Sequence, residues 1–167
     1  MHKKIRLKPM RHTSLISVYL SLLLALLCQL FPWVGQGVIF RPDFMLVAIL
    51  YWLLRAPNLC NVGTAWIAGL LVDLATGSLL GQHALSFSIT AFIALSYQRR
   101  LVLFNTWQLV GYVTALLSFE RVLMLLLKLF EGNESPGWHY FWPIITGLLL
   151  WQLMILLFGS LTRPKTK

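Results

Sequence analysis

Val62 to Gly81 reads VGTAWIAGLLVDLATGSLLG, a run apolar enough to enter a bilayer that still carries an acid, Asp73, near its far end. Ala65, Gly69, Asp73 and Gly77 recur at every fourth position. On a helix this spacing stacks neighbours along one face. The run therefore presents a narrow stripe of small side chains with one carboxylate set into it. In lipid, such a stripe admits a second helix at close range. A carboxylate at the bilayer centre costs about 2.5–3.5 kcal/mol on insertion scales and faces protein or a wet cavity rather than acyl chains. The segment reads as the central, protein-packed helix of a membrane bundle.

The remainder of the chain fits a bilayer. Of 167 residues, 58% are hydrophobic and only 11% charged, too little polar surface for a soluble domain. The reading is an all-α membrane protein, a single integral membrane domain over 1–167. Its six transmembrane helices fall at about 14–31, 42–56, 62–76, 83–98, 107–130 and 140–161. The second is awkward. Phe44 to Leu54 is eleven apolar residues between Arg41 and Asp43 on one side and Arg55 on the other. That length rises about 16–17 Å against a ~30 Å core. Snorkelling by Arg41 and Arg55 extends its reach; a re-entrant segment is the alternative. Gly77 to Gly81 reads as a tight turn.

The net charge of +9 would suit nucleic acid, but its placement favours a membrane. Lys3, Lys4, Arg6, Lys8, Arg11, Arg55, Arg99, Arg100, Arg163, Lys165 and Lys167 fall on one side when both termini are cytoplasmic; Arg41 alone falls outside, and Arg121 and Lys128 lie within a helix. This is the positive-inside pattern, with anionic lipids as secondary contacts. Trp33, Trp138 and Trp142 mark the outer interface; Trp52 and Trp107 mark the inner one. The first helix follows a basic stretch, as a signal peptide would. Its apolar run is longer than usual, no small-residue cleavage site follows, and Leu27 is too bulky for a lipoprotein box before Cys28. It is expected to stay as a transmembrane helix. Cys28 and Cys60 lie at different depths, so no disulfide is expected.

Arg41-Pro42-Asp43, Val62-Gly63, Gly69-Leu70-Leu71-x-Asp73-Leu74 and Gly77-x-x-Leu80-Gly81 resemble the MreD family of rod shape-determining proteins. The resemblance covers the whole chain. It implies a fold like the six-helix substrate-binding subunits of energy-coupling-factor transporters, and a place in the bacterial inner (cytoplasmic) membrane. It further implies a role in the elongasome, the machine that builds lateral cell wall. The implied direct partner is MreC, with MreB, RodA and a class-B penicillin-binding transpeptidase in the wider complex. It implies no catalytic residue and no cofactor.

Two sets of residues carry the candidate sites. The intramembrane polar and assembly set is Asp73, Arg121, Glu120, Asp43 and Arg41; the helix-packing set is Gly69, Gly77, Gly81, Ser17, Ser21 and Ala25. Asp73 reads either as a proton or ligand site, or as a structural acid bonded to helix ends, to the Gly77 turn or to Arg121. With no second acid or histidine near it in sequence, a relay is the weaker reading. Glu120 and Arg121 point about 100° apart and need separate partners. Arg121 with Asp73 is the attractive pair. Ser17, Ser21 and Ala25 form a second small-residue stripe, for a partner's helix or for internal packing. His2, His12, His83 and His139 are scattered without metal-ligand spacing. No nucleophile–base pattern or phosphate loop is present, so a non-enzymatic scaffold is expected. The alternative is a small-molecule- or lipid-binding transporter subunit, in which Asp43, Asp73, Glu120 and Arg121 converge near the outer face.

Overall fold

The computed structural model describes residues 15–32, 35, 40–101, 106–130, 132 and 137–162, apart from the side chains at 98–106 and 158–162. The expectations for Trp33, for the basic residues before Leu15 and after Thr162, for the side chains of Arg99 and Arg100, and for His2 and His12 lie outside the described residues.

The elements among the described residues are α1 Leu15–Leu30, α2 Phe44–Arg55, α3 Val62–Thr76, α4 Gln82–Leu101, α5 Thr106–Phe130, a 3-10 turn Trp138–Phe141 and α6 Trp142–Thr162. No strand occurs among the described residues. Among them, the continuous run Trp138–Leu157 alone is both long and apolar enough by itself to cross a bilayer. The apolar helices α1, α2 and α3 are shorter. The longer α4 and α5 carry several of the polar groups that the bundle encloses, among them Ser86, Thr90 and Glu120.

The centre of the bundle is α2, which corrects the reading that gave this place to α3. Every residue from Met45 to Leu53 is buried, and α2 packs against α1, α3, α4 and α6. A helix that is apolar on all sides belongs where protein surrounds it. Its shortness follows from the same position. A helix enclosed along its middle is not required to span the full thickness by itself, and its charged flanks, Asp43 ahead of it and Arg55 at its end, lead toward the two surfaces. The helix α3 is instead peripheral, with a small-residue face turned inward and Trp66, Ile67, Leu71 and Leu74 exposed. Large apolar side chains likewise emerge from α1, α4, α5 and α6. An outer surface as apolar as this suits a lipid environment.

Local sequence explains the ends of α3. Asn61 caps its start: the Asn61 side chain accepts from Thr64 N–H at 3.1 Å, and the Thr64 hydroxyl accepts from Asn61 N–H at 2.8 Å. This reciprocal pair satisfies two of the free N–H groups of the first turn. At the other end Gly77 takes φ +66° and returns its N–H to the Asp73 carbonyl, the left-handed stop that glycine adopts without strain. Gly81, at φ +103°, closes the turn into α4. Neither glycine has a neighbour within 4 Å of where a Cβ would stand. Gly77 and Gly81 are therefore turn residues, not packing residues. Gly69 is the one that packs.

On α1, Val18, Leu22, Ala25 and Gln29 face inward. Ser21 is half-buried and accepts a hydrogen bond from Trp52 Nε1 at 2.6 Å, while donating to the Val18 carbonyl. Trp52 is thus a core residue, not an interface marker; Trp107 and Trp138 are exposed. The serine stripe divides: Ser21 and Ala25 serve internal packing, and Ser17 is exposed. Cys60 is fully buried, its thiol 3.3 Å from the Thr64 hydroxyl. Burial raises its pKa despite that contact, which keeps it a protonated, packed side chain. Both cysteines are free.

Candidate functional site

All six helices have one end at a polar basin. Its walls are Gln29 from α1, Arg41 and Asp43 ahead of α2, Thr76 and Ser78 after α3, Gln82 and His83 opening α4, Arg121 and Lys128 on α5, and His139, Tyr140 and Pro143 leading into α6. The basin is open on one side and has a volume of about 440 Å³. Two networks hold the basin together.

The first is built on Asp73, which is fully buried. Its Oδ1 accepts from the Ser78 hydroxyl at 2.9 Å, from His83 N–H at 3.0 Å and from His83 Nδ1 at 2.7 Å. Its Oδ2 accepts from Gly81 N–H at 2.8 Å and from Ala84 N–H at 3.4 Å. The amides of His83 and Ala84 belong to the first turn of α4 and have no carbonyl within that helix to meet. A carboxylate there satisfies them and complements the positive end of the helix dipole. Asp73, from the last turn of α3, is therefore the cap of α4. When the acid is ionised it only accepts, and the imidazole then donates from Nδ1.

His83 is the partner that the sequence reading missed. It lies ten positions past Asp73, and the Gly77–Gly81 turn folds it back onto the acid. The turn itself was the available signal.

The second network corrects the pairing of Arg121 with Asp73. Arg121 Nη2 donates to Asp43 Oδ2 at 2.5 Å, with both side chains largely buried. Arg121 Nε also lies 3.8 Å from Glu120 Oε2. The two neighbours on α5 do interact, but too far apart for a hydrogen bond. Gln29 bridges to α2: its Nε2 donates to Asp43 Oδ1 at 3.3 Å and its Oε1 accepts from Phe44 N–H at 3.2 Å. Arg41 donates to the backbone carbonyl of Gln29, satisfying a free carbonyl of the last turn of α1. Behind this layer Glu120, 1% exposed, accepts from Ser86 at 3.4 Å. Tyr140 stands between two cations, with Arg121 5.6 Å and Lys128 5.4 Å from its ring centre.

Depth follows from position along α5. Arg121 precedes Phe130, the last residue of α5, by nine residues, which is about 14 Å of helix. The floor of the basin therefore lies well below the end of the bundle.

A family profile described as rod shape-determining protein MreD matches residues 10–161. The chain belongs to the MreD family. A rod shape-determining protein MreD from Haemophilus influenzae is 27% identical over 140 residues, covering 84% of this chain and 86% of that protein. No solved structure matches. In this MreD-family chain the motif residues have separate duties. Asp43 joins α2 to α5, Asp73 caps α4, Gly69 lets α3 and α4 meet, and Gly77 and Gly81 shape the turn between them.

The ion pair yields a sharp expectation. Asp43→Ala leaves Arg121 facing Glu120 at hydrogen-bond-deficient range, at a cost of about 2–3 kcal/mol for a largely buried pair. The swap Asp43→Arg with Arg121→Asp is expected to recover part of the loss in detergent unfolding. Asp73→Arg with Arg121→Asp is expected to recover none, because those two side chains have different partners.

Proposed function

We propose that the chain is a non-enzymatic component of the elongasome in the bacterial inner membrane, binding MreC and holding wall-synthesis enzymes in position. Both termini lie in the cytoplasm in this reading, and the arrangement resembles the substrate-binding subunits of energy-coupling-factor transporters. Family membership supports the rod-shape role. The observation that carries the scaffold reading is how its intramembrane charges are engaged. Asp43 and Arg121 bind each other, and Asp73 binds the start of α4. Those contacts tie α2 to α5 and α3 to α4, and a cross-braced bundle suits a part that positions others.

The partner contact is expected on the lipid-facing helices rather than on the Ser21–Ala25 part of α1, which faces inward. Depletion of the chain in a rod-shaped host is expected to give round cells, and a tagged full-length chain is expected to retain MreC through detergent purification. Rods that persist after depletion, with no MreC recovered, would overturn the proposal.

A further inference from the structure

The basin holds more donor capacity than its own residues use. Asp43 answers Arg121. Asp73 is enclosed behind His83 and Ser78 and already accepts from the α4 turn. Glu120 lies behind Arg121 and does not line the basin. That leaves Arg41 and Lys128 on the walls outside any ion pair among the described residues. Arg41 Nε is buried and makes no hydrogen bond. Gln82, on a third wall, is only 6% exposed, and its amide nitrogen is likewise without a partner. A buried donor left unmade costs about 1–3 kcal/mol, so these groups mark a place prepared for something that accepts hydrogen bonds.

The rim shows where that acceptor comes from. Phe31, Phe130, Trp138 and Trp142 are exposed around the same end of the bundle. The indoles of Trp138 and Trp142 are of the kind that settles at headgroup depth. The basin thus opens at the layer where membrane phosphates lie, and its floor reaches below it.

We propose that this basin binds a phosphate-type oxyanion, with Arg41, Lys128 and Gln82 as its donors. A tetrahedral anion accepts from several directions at once, which suits donors on different walls. Arginine and lysine both favour it over a neutral ligand. The volume accommodates a phosphate together with part of the molecule that carries it. Two sources share this chemistry: the headgroup of an anionic phospholipid and a soluble phosphate compound.

The test uses the purified full-length chain. Pyrophosphate is titrated against protein in detergent, with succinate as a carboxylate control. In parallel, nanodiscs of phosphatidylcholine are compared with nanodiscs containing phosphatidylglycerol. Thermal unfolding is the readout throughout. A saturable rise in Tm with either phosphate probe, weakened about tenfold by Lys128→Gln and by Gln82→Leu as expected for one lost hydrogen bond to a charged ligand, supports the site. Arg55→Gln, which removes a charge at the other end of α2, is expected to leave it unchanged. A response to pyrophosphate alone assigns a soluble phosphate compound; a response to phosphatidylglycerol alone assigns a headgroup. No response to either, an equal response to succinate, or a response that survives both basin variants would overturn the proposal.

Discussion

Asp73→Ala is expected to lower the unfolding free energy by about 3–5 kcal/mol, the range for removing one partner of a buried charged network. The substitution strips acceptors from Gly81 N–H, His83 N–H, the Ser78 hydroxyl and His83 Nδ1 together. The His83 and Gly81 amides are only partly reached by solvent, so water replaces the lost carboxylate incompletely. The first turn of α4 loses its cap, and α4 loses its tie to α3. Asp73→Asn is expected to be intermediate, because one amide oxygen still accepts while the new NH₂ faces donors. His83→Phe, which removes one of these bonds and keeps the ring, is expected to cost about 1–2 kcal/mol. Equilibrium unfolding in detergent measures all three. An Asp73→Ala protein as stable as the parent would refute the capping role.

Gly69→Val is expected to cost about 3 kcal/mol or more, the upper range for overpacking. A Cβ at this position would stand 2.4 Å from Ala84 Cα, 2.5 Å from Ala84 N and 2.6 Å from the His83 carbonyl carbon. All three are backbone atoms, so no side-chain rotation relieves the clash. The two helices have to separate, and the separation pulls the α4 amides away from Asp73. Gly69→Val and Asp73→Ala are accordingly expected to be less than additive when combined, since each disrupts the same junction. Gly77→Ala is a useful contrast. It has open space but a positive φ, so it should cost only the left-handed strain of about 1–2 kcal/mol. A Gly69→Ala protein that unfolds with the parent would show that the helices do not approach so closely.

Much of the local structure was legible in the chain. The bounds of α3 at Val62 and Thr76 follow from Asn61 and Gly77, whose capping and stopping effects act within a few residues. The Gly77–Gly81 turn, the apolar runs and the family motifs are local in the same sense. The partners were not legible. Sequence reading joined Arg121 to Asp73, set Trp52 at an interface, passed over His83 and made α3 central.

The tertiary structure alone decided these points, and the reason lies in the solvent. In water, polar and apolar faces tell which way a helix turns. In lipid, the outside of a bundle is as apolar as its inside, so Leu46 in the core and Leu74 at the surface read alike. Only the packed arrangement shows that α2 is enclosed, that Asp43 meets Arg121 across the bundle, and that six helix ends close around one polar basin.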